Sequence, residues 1–238
     1  MPAPFRVEFS TRIGGVSEGH YSSLNLGLST EDEESAVLEN RMRLLRSIGG
    51  DPTRASMCRQ VHGSAITRAD AAGIHEPRGH PESDGLWTDR VGEAVVVLSA
   101  DCLPIALCRL GEHPAVAAVH AGWRGIVGGV IEAAVDTLGS GDIVGVIGPG
   151  IGRCCYETGT DIALQFSERF GQDVVTSGNR LDLALCARRA LEHAAVQIVD
   201  TVERCTSCED RMFFSHRRDN GVTGRQGLVA LIEDVSAA

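Results

Sequence analysis

Three stretches of the chain are almost continuously apolar: AVVVLSAD (94–101), AVAAVHAG (115–122) and DIVGVIGPG (142–150). Continuous apolar runs of this length are typical of β-strands that are buried on both faces. Amphipathic helical spacing is found elsewhere, as in residues 33–48, which Gly49 and Gly50 bring to an end. Because buried strands need a layer of structure on each face, the sequence predicts an α/β or α+β fold. We expect a layered sandwich of mixed β-sheets and flanking helices, with residues 1–238 as one domain.

The other predicted elements are shorter and follow from spacing and turn residues. The predicted strands are PFRVEFS (4–10), ASMCRQVHG (55–63) and AITRAD (65–70) around a Gly-Ser turn, VQIVD (196–200), and a last strand near Gly227–Ile232. The predicted helices cover about Ile126–Leu138 and the regions near 160–170 and 182–195.

Composition excludes several classes of function. All 22 basic side chains are arginine, so a Schiff-base lysine or a P-loop lysine is excluded. The net charge of −10 argues against a general nucleic-acid binder. No apolar run approaches the roughly 20 residues of a membrane helix, and MPAPFRVEFSTR does not resemble a signal peptide. We therefore expect a cytoplasmic protein whose eight cysteines are mostly free thiols.

Metal-binding or nucleophilic side chains interrupt the predicted strands at their ends. His62 ends the QVHG segment, Asp101 and Cys102 follow the 94–100 run, and His120 closes AVAAVH. Active-site groups of layered α/β proteins collect at strand ends. Two histidines and one cysteine also make a catalytic zinc set with a fourth position left open. The sequence therefore predicts a site formed by His62, Cys102 and His120.

Seven ordered motifs carry a resemblance that covers nearly the whole chain. They are TRIGGVSEGHYSSLNLG (11–27), RQVHGS (59–64), DGLWTD (84–89), SADCLPI (99–105), AVHAGWRGI (118–126), IGPGIGRCCYETG (147–159) and FFSHRRDNGVTGR (213–225). Together they resemble the YfiH/DUF152 family, formerly labelled multicopper polyphenol oxidase or laccase-domain proteins. The resemblance implies a sandwich fold similar to that of toxin deamidases that use a cysteine and a histidine. It also implies that His62, Cys102 and His120 bind zinc, with copper as the alternative metal.

The function implied by this resemblance is a zinc-dependent purine nucleoside phosphorylase. Its substrates would be adenosine, inosine, guanosine and S-methyl-5′-thioadenosine, with an additional adenosine deaminase activity. Such an enzyme binds small nucleosides and phosphate, and we expect a monomer that contacts neither nucleic acid nor membrane. Arginines within the motifs are candidates for binding phosphate, with Asn25 as a polar contact to ribose or base or, equally, a turn cap. These candidates are Arg12, Asn25, Arg124, Arg217 and Arg225, and Arg124 stands at the start of a predicted helix.

Two alternative functions remain open. Cys102 could be the nucleophile of a Cys-His hydrolase, with His120 as its base. A copper-dependent polyphenol oxidase (laccase) is less compatible with the chain, because its eight histidines are scattered and form no H-x-H pair. Asp101 and Glu157 are both candidates for the proton shuttle of a deaminase.

Three further features do not enter the predicted site. His216 stands where the family commonly has tyrosine, which puts any aromatic or hydroxyl role there in doubt. The Cys205-x-x-Cys208 pair is by itself a weak signal, and we assign Cys154-Cys155 no catalytic role.

Overall fold

The structure is a computed structural model that describes residues 5–70, 73–74 and 80–233. Its strands are β1 (Phe5–Phe9), β2 (Ala55–Ser56), β3 (Ile66–Arg68), β4 (Gly85–Thr88), β5 (Ala94–Ser99), β6 (Leu103–Arg109), β7 (Ala115–Ala121), β8 (Ile143–Ile147), β9 (Val175–Thr176), β10 (Arg180–Leu181), β11 (Ile198–Thr201) and β12 (Gln226–Ile232). Its α-helices are α1 (Glu34–Ser47), α2 (Trp123–Val127), α3 (Val130–Leu138), α4 (Thr160–Phe170) and α5 (Leu183–His193). None of the helices in these ranges has the length and apolarity needed to cross a membrane.

A six-stranded mixed sheet has the order β11-β8-β6-β7-β4-β3. Its centre is the antiparallel pair β6 and β7, which runs from Leu103 opposite Ala121 to Arg109 opposite Ala115. The outer pairs β11–β8 and β3–β4 are parallel. The apolar pattern does not predict β6 as a separate strand, since only residues 100–102 separate it from the equally apolar β5.

A four-stranded sheet, in the order β1-β12-β5-β2, packs against the first sheet. Val97 and Leu228 from the four-stranded sheet share one buried cluster with Ala106 and Val116 from the six-stranded sheet. Helix α1 covers the outer face of the four-stranded sheet, where Leu45 packs near Val229. Helices α3, α4 and α5 cover the outer face of the six-stranded sheet. The resulting helix–sheet–sheet–helix order confirms the predicted layered sandwich with mixed sheets.

Two local predictions differ in detail from the structure. The helix predicted over 126–138 begins at Trp123 and is interrupted between Val127 and Val130, where Gly129 adopts a left-handed backbone with φ 85°. Glycine adopts this conformation without the steric cost of a Cβ atom. The segments 55–63 and 65–70 do not pair around a turn, because β2 lies beside β5 and β3 lies beside β4 in the other sheet. Residues 57–65 between them form a loop instead, with one isolated bridge from Arg59 to Glu82.

Candidate metal centre and active site

The chain passes from one sheet to the other at the turn that carries Cys102. Strand β5 ends at Ser99 in the four-stranded sheet, and β6 begins at Leu103 in the six-stranded sheet. Asp101 adopts a left-handed backbone with φ 93°, and the Ser99 hydroxyl donates to the Cys102 carbonyl. This tight turn fixes Cys102 at the seam between the two sheets.

The two histidines reach the same seam from different elements. His120 is the last residue but one of β7, and its side chain is buried. His62 lies in the loop before β3, with a left-handed φ of 60°. Gly122 follows β7, and a Cβ atom there would lie 3.0 Å from both Cys102 Sγ and His62 Cδ2. The glycine therefore allows the backbone to approach the site closely.

The structure brings the three predicted ligands together. Cys102 Sγ lies 3.9 Å from His62 Nε2, and the two imidazole rings meet edge to face with centroids 4.9 Å apart. The ligand atoms of His62, Cys102 and His120 all lie within 4.8 Å of one another. Zinc bonds of about 2.3 Å to sulfur and 2.0–2.1 Å to nitrogen place two tetrahedral ligand atoms about 3.5 Å apart. The donor set and its spacing therefore fit one metal ion.

Asp84 organises this site, although it was not among the residues predicted from the sequence. Its fully buried carboxylate accepts hydrogen bonds from the backbone N–H groups of Val61 (3.1 Å), His62 (2.9 Å) and Gly63 (2.6 Å). It also lies 2.8 Å from His120 Nδ1, which leaves Nε2 of this histidine for the site. A carboxylate behind a ligating histidine fixes the ring orientation and the tautomer. The available signal was Asp84 at the head of the DGLWTD motif, but its partners lie 21 to 36 positions away.

The electrostatics of the site favour a thiolate. Burial raises the pKa of the Cys102 thiol, but the neighbouring His120 and His62 outweigh burial and lower that pKa to about 6. Burial lowers the pKa of His120, whereas Cys102 and Asp84 raise it to about 9. A thiolate is both the metal-binding and the nucleophilic form of cysteine. The same arrangement can therefore bind a metal or attack an electrophile.

An open cavity of about 630 Å³ lies in front of these three residues. Besides the three ligands, its walls include Trp123, Arg124, Tyr156, His216, Arg217 and Arg225. Three of the predicted phosphate-binding arginines thus lie on the same cavity as the candidate metal ligands. His216, the departure from the family motif, is exposed at its wall.

The other two candidates for substrate binding, Arg12 and Asn25, do not line this cavity. The Arg12 guanidinium donates to the carbonyls of Ser22 (2.7 Å) and Asp210 (2.8 Å) and stacks 4.6 Å from the Phe214 ring. Arg225 on the cavity wall makes similar bonds, from its Nη1 to the carbonyls of Thr223 and Gly224 (both 2.9 Å), so the position of Arg12 and not its hydrogen bonding separates it from this cavity.

Asn25 is fully buried, and its amide group is held by four hydrogen bonds. The amide nitrogen donates to Thr30 (3.0 Å) and Asp32 (2.8 Å), while the oxygen accepts from the N–H groups of Gly27 (3.0 Å) and Arg225 (2.8 Å). Asn25 therefore positions the Arg225 backbone and does not face a ligand.

Of the two candidate proton shuttles, only Asp101 lies on the described cavity wall. Its carboxylate accepts from the Thr206 hydroxyl and from the Arg217 N–H, both at 2.7 Å. Glu157 contributes its backbone carbonyl, which accepts from the Arg217 guanidinium at 2.9 Å. Through these two hydrogen bonds, the Asp101 carboxylate stabilises the wall of the cavity.

Comparison with known proteins agrees with this architecture. Residues 6–233 match the family model described as "Multi-copper polyphenol oxidoreductase laccase". The chain is 36% identical over 224 residues to purine nucleoside phosphorylase YfiH of Escherichia coli K12, with 91% of this chain and 89% of the relative covered. It is 37% identical over 245 residues to purine nucleoside phosphorylase PA4543 of Pseudomonas aeruginosa, with 98% and 96% covered.

A solved structure agrees as well. The crystal structure of the hypothetical protein YfiH from Bacillus licheniformis superposes with a TM-score of 0.89 at 31% identity, with 96% of this chain and 93% of that chain covered. Since matches of this extent cover the fold and the motifs that converge on the site, the chain belongs to the YfiH family of laccase-domain proteins.

Proposed function

We propose that this protein is a zinc-dependent purine nucleoside phosphorylase. Its substrates would be adenosine, inosine, guanosine and S-methyl-5′-thioadenosine, and it would also deaminate adenosine. The relatives named above as purine nucleoside phosphorylases support the reaction class. The arginines on the cavity wall support phosphate as the second substrate.

The observation that carries the proposal is the electrostatic environment of the Arg124, Arg217 and Arg225 guanidinium groups. Among the described residues, none of these guanidiniums forms an ion pair with a carboxylate. Arg124 lies 4.5 Å above the ring of Trp123, and Arg217 lies 5.3 Å from that of Tyr156. Stacking restrains the side chains without neutralising their charge. Such arginines are suited to hold a phosphate dianion beside the bound nucleoside.

Phosphorolysis exchanges one bond at the sugar for another. A phosphate oxygen forms a bond to C1′ of the ribose while the C1′–N9 bond breaks and its electron pair goes to the purine. The purine takes up a proton, and the products are the free base and ribose 1-phosphate. The positively charged wall would orient phosphate and balance its charge as the sugar becomes electron-poor.

His62, Cys102 and His120 would hold the zinc ion, with Asp84 fixing the orientation of His120. When bound, zinc supplies Lewis-acid chemistry to the reaction. Deamination of adenosine would use the same cavity: water adds at C6 of the purine, and ammonia leaves.

The test is product analysis with and without phosphate. The metal-analysed protein is incubated with each of the four nucleosides, and the products are separated by chromatography. We expect free base and ribose 1-phosphate (or its methylthio analogue) only when phosphate is present, and inosine from adenosine without it. Absence of any phosphate-dependent product from all four nucleosides would refute the phosphorylase proposal.

A second candidate is a Cys-His hydrolase with Cys102 as the nucleophile, and the lowered pKa of this thiol favours it. Alkylation of Cys102 that abolishes turnover of a metal-free preparation would support the hydrolase. Loss of turnover on removal of zinc, with recovery on its return, would support the phosphorylase. Oxidation of phenols by the copper-loaded protein would instead support the laccase description of the family.

A further inference from the structure

Four cysteines that the candidate active site does not use converge on one surface region. Cys154 and Cys155 lie in the loop that follows β8, and Cys205 and Cys208 lie in the segment between β11 and β12. Their sulfur atoms all lie within 4.8 Å of one another, although about 50 residues separate the two pairs. The Cys208 sulfur is 3.5 Å from that of Cys154 and 3.3 Å from that of Cys155. We propose that these four cysteines bind a structural zinc ion, separate from the candidate active site.

The spacing of the sulfurs fits one tetrahedral ion. Zinc–sulfur bonds of about 2.3 Å place the sulfurs of a four-thiolate site about 3.8 Å apart. A single ion in the middle of the four sulfurs therefore needs only small side-chain adjustments. Soft thiolate ligands in tetrahedral arrangement select zinc among the common divalent metals. An iron–sulfur cluster has several atoms between its cysteine sulfurs, which separates them further than here.

The backbone around Cys205 is arranged as in a metal-binding loop. Its sulfur accepts a hydrogen bond from the Gly152 N–H at 3.2 Å. Such bonds stabilise thiolate ligands of metal ions. A Cβ atom on Gly152 would lie 3.3 Å from Cys154 Sγ and 3.3 Å from Cys205 Cβ, so glycine allows the two loops to approach. A parallel bridge between Gly150 and Cys205 aligns them further.

The chemistry of this four-cysteine site differs from that of the candidate active site. Each thiol releases its proton to solvent as its sulfur binds the ion, and no oxidation state changes. Four thiolates complete the coordination of zinc and leave no position for a substrate. The site is therefore structural, whereas the set of His62, Cys102 and His120 leaves a position open.

The four-cysteine site lies next to residues that form the wall of the cavity. The loop with Cys154 and Cys155 leads directly to Tyr156, which lines the cavity and supports Arg217. The other loop contains Thr206, whose hydroxyl donates to Asp101 at 2.7 Å and whose N–H donates to the Gly150 carbonyl at 3.0 Å. An ion that joins these loops would stabilise the part of the cavity wall formed by Tyr156, Arg217 and Asp101.

The test is the zinc content per chain, measured by native mass spectrometry and elemental analysis of protein purified under reducing conditions. We expect wild type to hold the four-cysteine zinc in addition to any active-site zinc. The double variant Cys205→Ser, Cys208→Ser should lose one zinc per chain, while the control Cys186→Ala, a buried thiol outside both clusters, should lose none. Cys102→Ala should retain the four-cysteine zinc, even if the proposal of an active-site zinc is wrong.

A second measurement does not use variants of the surface loops, so it tests the inference even if the double variant fails to fold. X-ray absorption of zinc-loaded Cys102→Ala should show zinc with four sulfur neighbours at about 2.3 Å. Nitrogen neighbours, bound iron, or no metal would overturn the inference. A disulfide among the four cysteines of the freshly purified protein, detected as a loss of two hydrogens in its intact mass, would overturn it equally.

Discussion

Replacement of Asp84 by asparagine tests the most specific feature of the site. The wild-type carboxylate accepts three backbone hydrogen bonds from the loop of His62 and lies 2.8 Å from His120 Nδ1. Asparagine keeps the shape of the side chain but removes its charge and one acceptor oxygen. Its NH2 group would face N–H donors, so part of this network must break. The loop of His62 and the ring of His120 would lose their common anchor.

The size of the effect follows from the number and kind of these bonds. Hydrogen bonds to a charged group contribute about 1.5–3 kcal/mol each, and asparagine can retain about half of them. Loss of about two of the four bonds should therefore lower the free energy of unfolding by roughly 3–6 kcal/mol. For a chain of 238 residues, at about 2–4 °C per kcal/mol, this corresponds to a melting temperature lower by about 6–24 °C. Loss of a carboxylate behind a ligating histidine lowers metal affinity about 10- to 100-fold.

The assay is competition for zinc between the protein and a chelator, combined with thermal unfolding. The matched control is Ser83→Ala, because the Ser83 hydroxyl is equally buried and lies within hydrogen-bond distance of the carbonyl oxygens of Ala65 (2.8 Å) and Gly85 (2.7 Å), neither of which is a candidate ligand. Ser83→Ala should lower stability while leaving the affinity of the active-site zinc unchanged. Wild-type zinc affinity in Asp84→Asn would refute the assignment of Asp84 as the residue that positions the ligands.

Three further predictions concern other parts of the molecule. Cys102→Ala should stay folded, with a melting temperature lowered by a few degrees at most. It should lose the active-site zinc, phosphorolysis and deamination together. A variant that keeps its full zinc content but has no activity would favour the hypothesis that Cys102 is a nucleophile. Arg217→Gln should raise the KM for phosphate at least 10-fold with little change in unfolding temperature, and an unchanged KM would remove Arg217 from the phosphate site. Burial raises the pKa of Asp219, but hydrogen bonds from Arg218 and Thr223 outweigh burial and lower it below 3.8. The stability lost in Asp219→Asn should therefore be constant above pH 3.8 and vanish as the pH falls through the lowered pKa, as followed by urea unfolding.

The sequence predicts those features that depend on residues close to one another along the chain. Strands β5 and β7 follow from continuous apolar runs, and the layered fold follows from these buried strands. The break at Gly129 was not predicted, because helical spacing continues across it. Asp84 was not identified because its partners lie at least 21 positions away and no local pattern records that contact. The sequence did not predict that the two cysteine pairs form one site, since only the fold brings them together.

The turn at Asp101 explains why residues so distant in sequence form one site. The chain must leave the four-stranded sheet at Ser99 and enter the six-stranded sheet at Leu103, and this crossing needs a left-handed residue and internal hydrogen bonds. The Asp101 carboxylate uses both oxygens to hold Thr206 and the Arg217 backbone, which come from the last third of the chain. One side of the cavity is therefore built on paired strands, and the other side is built on loops that hydrogen bonds to this turn keep in place. Substitutions that loosen those loops should displace Arg217 before they displace His120, because His120 lies within β7 of the six-stranded sheet whereas Arg217 lies in a loop.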